Sequence, residues 1–445
     1  MAIFDVVDEV FGLVKHVYKV ENRHGEPSSM FAYTCLLNDV SRLLNWPMDK
    51  ISTGYSFDED KAIKSAIGEG VERYCGNHVP DDLLKASVVE MLERGYNFLN
   101  PKEFLQFTKE QLEKINTYFG VDESVLVEWV PMINLVKDEN CYLPADVVYV
   151  DYRSYQKNKK VKGNRLPILF SGLSAGSTVN YAIINSLLEI IERDATMLWW
   201  IGRKPAKELI IDSKDRLSDV INESETKGIA LKFLLLSTEF SVYTVACVLN
   251  DYENKFVTVG FSCHFNIKQA SEKALMEAYQ LRMFSFNLSD PKGFIWKENY
   301  QDMFGVKDFQ RDRNYTKVYN KDYSDMISLL QNTQFFLDTV AYDEVMSFFN
   351  TTSYQNISEY LDINSSLTES EQQKFLIKEF RDKKIDVFMA NITTSDIEVA
   401  GMSVVRCIAP KMLANMPTAF PLLGNKRLQQ TLGNKLPNLF PLPHS

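Results

Sequence analysis

The sequence predicts an α/β (α+β) fold in which strand, glycine turn and helix recur and converge on one site. Three observations carry that expectation. A short phrase occurs three times: GYSFDEDKAIKSAIGEGVER from Gly54, GLSAGSTVNYAIINSLLEIIER from Gly172 and GFSCHFNIKQASEKALMEAYQLR from Gly260. Each follows a strand-like run, LPILF before Gly172, KFVTV before Gly260 and the weaker DKIST before Gly54. Each also leads into helical periodicity, with Ala62, Ala66 and Val71 in the first and Ala270, Ala274, Leu275 and Ala278 in the third. The phrases start 118 and 88 residues apart, which is too long and too uneven for a solenoid.

Along the chain, MAIFDVVDEVFGLVKHVYK reads as an amphipathic helix, because Asp5, Asp8 and Glu9 interrupt its apolar stretch. No linker rich in Gly or Ser divides the rest of the chain. We therefore expect residues 1–50 to be an N-terminal accessory region and 51–445 to be one large domain. Residues 300–375 are rich in Asn, Asp, Gln and Tyr and read as a mixed surface region. SSLTESEQQKFLIKEFRDKK from Ser365 reads as a helix with a charged face, and IDVFMANITT and EVAGMSVVRCIAP read as two strands. Beyond Pro410, Pro417, Pro421, Pro437, Pro441 and Pro443 predict a long non-helical tail.

Composition narrows the function. A net charge of −10 over 445 residues argues against general binding of nucleic acid or anionic membranes. The six cysteines are scattered without CxxC, and five histidines give a zinc site little to build on. The most apolar segment, YAIINSLLEIIERDATMLWWI, carries Glu189, Glu192, Arg193 and Asp194 and does not read as a membrane span. A cytoplasmic protein is expected.

The chemistry concentrates on the glutamates. Ala62, Glu69, Glu72 and Arg73 match Ala182, Glu189, Glu192 and Arg193 at a constant offset of 120, and Ala270, Glu277 and Gln280 follow in register, with Arg282 near the place of the arginines. Glutamates three apart on a helix share a face. A lone ExxE is usually a solvated helix surface, but Ile183, Ile184, Leu187, Leu188, Ile190 and Ile191 surround the second pair. Carboxylates buried there are costly without a compensating cation. Clustered without histidine or cysteine, Glu69, Glu72, Glu189 and Glu192 suit a hard cation, most simply Mg²⁺ with phosphate among its ligands. Arg73 and Arg193 would offer donors to phosphate oxygens. GLSAGST lacks the lysine and spacing of a P-loop, so any nucleotide site here is of another kind.

SAIGEGVERY (Ser65–Tyr74) resembles the SxxxExxER motif of the YcaO family, SAGSTVNYAIINSLLEIIERDA its second glutamate motif and ALMEAYQLR its third. GMSVVRCIAP and the closing PLPH resemble the C-terminal part of YcaO proteins from azole-peptide pathways, so the likeness runs over roughly residues 50–445. It implies a YcaO-type fold, ATP and Mg²⁺ as cofactors, and nucleotide contacts from Ser65, Arg73, Arg193, Glu277, Gln280 and Arg282. It further implies a cyclodehydratase that phosphorylates backbone amides of a ribosomal precursor peptide, turning Cys, Ser or Thr into thiazoline or oxazoline rings. In such relatives a PxPxP-like tail delivers the terminal carboxylate to the active site, which here would be that of Ser445. This chain has Pro441 and Pro443 but Ser445 at the third place. A thioamide- or amidine-forming enzyme, and a nucleotide-bound scaffold presenting the precursor to another catalyst, are the alternatives. The first fifty residues look too short for a leader-binding domain, so an E1-like or ThiF-like partner is expected to capture the leader. A flavin dehydrogenase and a homodimer are compatible with the same reading. Removing the tail is expected to leave much of the nucleotide affinity in place.

Overall fold

Three sheets, antiparallel but for one strand pair, hold the strands of this computed structural model, which describes residues 2–44, 48–159, 164–212, 214–297, 300–360, 362 and 366–445. The first sheet joins β1 (Val14–Val20), β2 (Phe31–Leu37) and β3 (Ile51–Ser56) in that order. Helix α1 (Glu59–Asn77) packs on β3 and β2. The second sheet draws on distant segments: β4 (Leu84–Ala86), β5 (Val127–Asn134), β6 (Glu139–Pro144) and β7 (Leu173–Gly176), the last leading into helix α2 (Val179–Trp200). The third contains β8 (Ala206–Ile210), β9 (Ile229–Leu236), β10 (Tyr243–Asp251) and β11 (Phe256–His264), followed by helix α3 (Ile267–Ser289). Its far edge is β12 (Tyr354–Asn356), parallel to β8. After helix α4 (Glu369–Asp382), strands β13 (Phe388–Asn391) and β14 (Ser403–Ile408) complete the second sheet in the order β4-β5-β13-β14-β7, with β6 on β5.

The three repeats are three copies of one local structure. β3, β7 and β11 are each the end strand of their own sheet. Two residues after each strand a side chain caps the helix: Asp58 accepts from Lys61 N–H, Thr178 from Tyr181 N–H, and Asn266 from Lys268 and Gln269 N–H. Such caps satisfy amides that would otherwise lack partners at a helix start. Each helix packs on its own strand and on the next copy's: α1 on β3 and β7, α2 on β7 and β11, α3 on β11 and β3. The three units therefore close into a ring.

The glycines differ from the turn expected of them. Gly172 does precede its strand, with φ of +84°, a conformation that favours glycine. Gly54 and Gly260 instead lie inside β3 and β11. A methyl group at Gly54 would run into Ala62 O and Ala66 N, and one at Gly260 into Ala274 O and Ala278 N. The two positions are one helix turn apart in the common register, and at each the glycine lets helix backbone lie directly on strand backbone.

Other expectations need correction. Residues 2–19 form no amphipathic helix; a short 3₁₀ turn at Ala2–Val6 precedes β1 (Met1 lies outside the described residues). Val14, Val17, Tyr18 and Val20 suit a pleated surface, and pairing with β2 outweighs the helical spacing. Residues 300–375 are not a surface region, since Tyr315, Tyr319, Leu330, Phe335, Phe336 and Phe349 belong to the largest core cluster. The helix expected from Ser365 is present as α4, although Ser365 itself lies outside the described residues. β13 and β14 are the two strands expected before Pro410. The tail is not wholly non-helical, because helix α5 (Lys426–Leu432) interrupts it, capped by Asn425.

Candidate functional site

The ring of helices turns its glutamates toward the open edges of the three end strands. An end strand leaves amides unpaired, and here carboxylates accept from them. Thr53 N–H donates to Glu69 at 2.8 Å, Gly172 N–H to Glu189 at 2.7 Å, and Phe261 N–H to Glu277. Those are the first glutamates, each bound to its own strand. The second member of each pair reaches the following strand: Ala175 N–H donates to Glu72 at 2.7 Å and Cys263 N–H to Glu192 at 3.0 Å. Gln280 closes the circle by donating to Thr53 Oγ1 at 2.5 Å.

Each of the five carboxylates thus commits one oxygen to the scaffold and leaves the other for a neighbour or ligand. Two guanidinium groups lie among them. Arg73 pairs with Glu69 and with Asp49 and donates to Ile51 O at 2.6 Å. Arg193 stands between three glutamates, with Nη2 3.9 Å from Glu189 Oε1 and 3.7 Å from Glu277 Oε1 and Nε 3.5 Å from Glu192 Oε1. That Nε is buried and has no hydrogen-bond partner. The side chains of Glu69, Glu189 and Glu277 keep 27–30% of their surface exposed, so the cluster forms an accessible floor.

Burial sets the electrostatics. It pushes Glu72 up to about 8 against the pull of the Ala175 amide, and Glu192 to about 8 despite Arg193. Glu189 and Glu277 are also raised, by burial first. Burial opposes the charge of Arg73 and Arg193, but the carboxylates beside them outweigh it and hold both well above the usual range.

The tail reaches the same floor. Trp200 Nε1–H donates to Phe440 O at 2.7 Å, and Val259 N–H, on the open edge of β11, donates to Pro443 O at 2.8 Å. His444 is 2% exposed; its Nδ1–H donates to Val259 O at 3.0 Å and its Nε2 lies 2.8 Å from Arg193 Nη1. Ser445 follows, partly exposed.

The structure thus brings Glu69, Glu72, Glu189, Glu192, Glu277, Gln280, Arg73 and Arg193 together, with Ser65 exposed one turn before Glu69. It does not bring Arg282. Five residues past Glu277, that side chain points about 140° around the helix. It is 1% exposed and bound to Asp251 at 2.8 Å and to His24 O at 2.8 Å. A buried ion pair, not a phosphate contact, is its role here. The sequence reading missed three residues. The offset of 120 applied to Ser65 gives Asn185, half-buried one turn before Glu189, so the repeat itself held that signal. Asp49 and His444 carried no such signal, because only tertiary packing sets them beside Arg73 and Arg193.

These groups fit a divalent cation with a polyphosphate. The donors are all oxygen, each carboxylate keeps one oxygen outside the scaffold, and Arg193 Nε lacks a partner. Among the described residues no preformed cage of three His, Cys, Asp or Glu ligands exists. A fold and site of this kind define a nucleotide-handling protein that works without a P-loop.

The chain belongs to the YcaO family: the family model described as YcaO cyclodehydratase, ATP- and Mg²⁺-binding, matches residues 53–413. ATP and Mg²⁺ are its cofactors. Three solved structures share the fold. A heterocyclase in complex with substrate and cofactor is 18% identical at a TM-score of 0.67, over 92% of this chain and 51% of its own. YcaO from Methanopyrus kandleri bound with AMPPCP and Mg²⁺ is 17% identical at 0.60, over 91% and 90%. The E. coli microcin synthetase McbBCD complex is 15% identical at 0.55, also over 91% and 90%. Two curated relatives, both described as uncharacterized and one from Methanothermobacter thermautotrophicus, are 25% and 23% identical over 237 and 249 residues. The chain spans about half the length of these relatives, 57% and 54%. No helix among the described residues is long and apolar enough to cross a membrane.

Proposed function

We propose that the protein is the azoline-forming kind of YcaO enzyme, converting Cys, Ser or Thr of a ribosomal precursor peptide into thiazoline or oxazoline. The observation that carries this reading is the docked tail: Pro441–His444 are buried against β11 and Arg193, so the proline-rich segment lies on the glutamate floor.

In the proposed reaction the side-chain thiol or hydroxyl of the peptide bonds to the preceding carbonyl carbon and gives up its proton. The former carbonyl oxygen takes the γ-phosphoryl group of ATP, releasing ADP. Loss of the amide proton then forms the C=N bond as the C–O bond breaks, and phosphate departs with the amide oxygen. An amide oxygen alone is a poor leaving group; phosphorylation makes it a good one. Glu69, Glu72, Glu189 and Glu192 would hold the metal through their uncommitted oxygens, and Mg²⁺, when bound, neutralises charge on the transferred phosphoryl group. Ser65, Arg73, Arg193, Glu277 and Gln280 would contact the nucleotide, and Ser445 would accept protons through its carboxylate.

The division into residues 1–50 and 51–445 is likewise a proposal, and the two parts are closely joined: Val6, Leu13, Val14, Cys35 and Leu37 share one core with Ala66, Ile67 and Val71 of α1. A leader-binding partner is part of the reading, supported by a structural relative that is itself a multiprotein complex.

The decisive experiment gives the protein ATP, Mg²⁺ and candidate peptides, with and without partner proteins. Loss of one water per modified residue, with amide oxygen recovered in phosphate, is the expected result. Exchange of oxygen for sulfur would replace ring formation by thioamide formation, and peptide that stays unchanged while another catalyst acts would make the chain a scaffold.

A further inference from the structure

Arg193 touches three glutamates, yet none of these contacts is shorter than 3.5 Å. Its close partner is the ring of His444, at 2.8 Å. That ring is itself fixed on every side. Nδ1–H donates to Val259 O, Val259 N–H donates to the preceding Pro443 O, and Asn332 Nδ2–H donates to His444 O at 3.2 Å. Phe261 meets the ring edge-on at a centroid distance of 5.0 Å. Burial, and then Arg193, hold the imidazole down at about 3, so it is neutral and its Nε2 accepts from the guanidinium.

An arginine surrounded by carboxylates has several competing ion pairs of similar energy. A neutral acceptor held by the backbone of β11 fixes one N–H vector without adding charge. We propose that His444 is a positioning residue that orients the Arg193 guanidinium for nucleotide, so that docking of the C-terminal segment and affinity for nucleotide are coupled. This rests on reading Arg193 as a nucleotide contact and is separate from the role assigned to the Ser445 carboxylate. It also revises the expectation that the tail contributes little to nucleotide affinity.

Calorimetry with AMPPCP and Mg²⁺ on the full chain tests it without any peptide. His444→Ala should weaken binding about tenfold, or about 1.4 kcal/mol, in protein that circular dichroism shows to be folded; its thermal midpoint should fall, because the buried ring leaves a cavity and unpaired polar groups behind. His444→Gln, whose amide offers one acceptor for Arg193 and one donor for Val259 O, should bind nearly as wild type. Free imidazole should restore much of the affinity of His444→Ala. Wild-type affinity in folded His444→Ala overturns the proposal. So does a His444→Gln protein that is folded but as weak as the alanine variant. Wild-type protein that binds no nucleotide would overturn the site reading itself, whereas peptide chemistry of another kind would leave the coupling standing.

Discussion

Glu192 shows how a single residue can favour function over stability. Its carboxylate is buried, bound to the Cys263 amide, and raised from an ordinary 4.5 to about 8, as is that of Glu72. A group whose folded value is raised contributes stability that is complete below its unfolded value and is lost as pH climbs through the folded one. The nucleotide-free protein should therefore melt at a lower temperature at pH 9 than at pH 6, each such group contributing at most about 1.4 kcal/mol per pH unit. Mg²⁺ with AMPPCP should narrow the gap, since a cation favours the ionised carboxylate. A melting temperature that is flat or rising over this range would contradict the buried-carboxylate account. Glu192→Gln keeps an acceptor for Cys263 N–H while removing the charge. It should be more stable than wild type at pH 8 and lose most ATP consumption, as should Glu69→Gln without the same gain in stability. Full ATP turnover in both variants would remove the glutamates from the site.

At the scale of elements, close approach of helix to strand makes the threefold repeat work, and glycine is its local signature. Gly260→Ala would drive a methyl group into Ala274 O and Ala278 N and should cost at least about 1–3 kcal/mol of stability. Gly68, inside α1 with open space around its Cβ position, gives the matched contrast: Gly68→Ala should stabilise by about 0.5–1 kcal/mol. Urea midpoints of the two variants should therefore move in opposite directions. This contrast also shows what was legible in the sequence. The repeat, its helices and the glutamate register are periodic patterns, and periodicity survives in sequence. The turn assigned to Gly54 and Gly260 failed because a glycine needed for close approach looks the same as one needed for a bend. β1 was hidden because Val14 and Val17 satisfy helical spacing, while β2, the partner that decides the matter, lies just beyond the stretch that reads as a helix. Gln331, Asn332 and Gln334 made residues 300–375 look exposed, yet all three are buried, where they bond to Gly305 O, His444 O and Lys307 O.

For the whole molecule, the tail joins the ring of sheet edges to the chemistry proposed for it. Arg427 of α5 grips Asp194, the residue after Arg193, and Asn438, Phe440 and Pro443 then bond in turn to Ile201, Trp200 and Val259. Prolines at 441 and 443 stiffen this path, so little conformational entropy is lost on docking. Two alterations separate what the tail does. Deleting residues 441–445 removes both His444 and the terminal carboxylate. That variant should fold, bind AMPPCP–Mg²⁺ about tenfold more weakly, by about 1.4 kcal/mol, and form no rings. Extending the chain by a few residues past Ser445 leaves His444 against Arg193 and displaces only the carboxylate. It should bind nucleotide as wild type and still lose most ring formation. Nucleotide affinity by calorimetry and peptide mass by spectrometry read the two effects independently. If the extended protein forms rings at the normal rate, the carboxylate has no part in proton transfer. If the shortened protein keeps full nucleotide affinity, the tail does not hold Arg193.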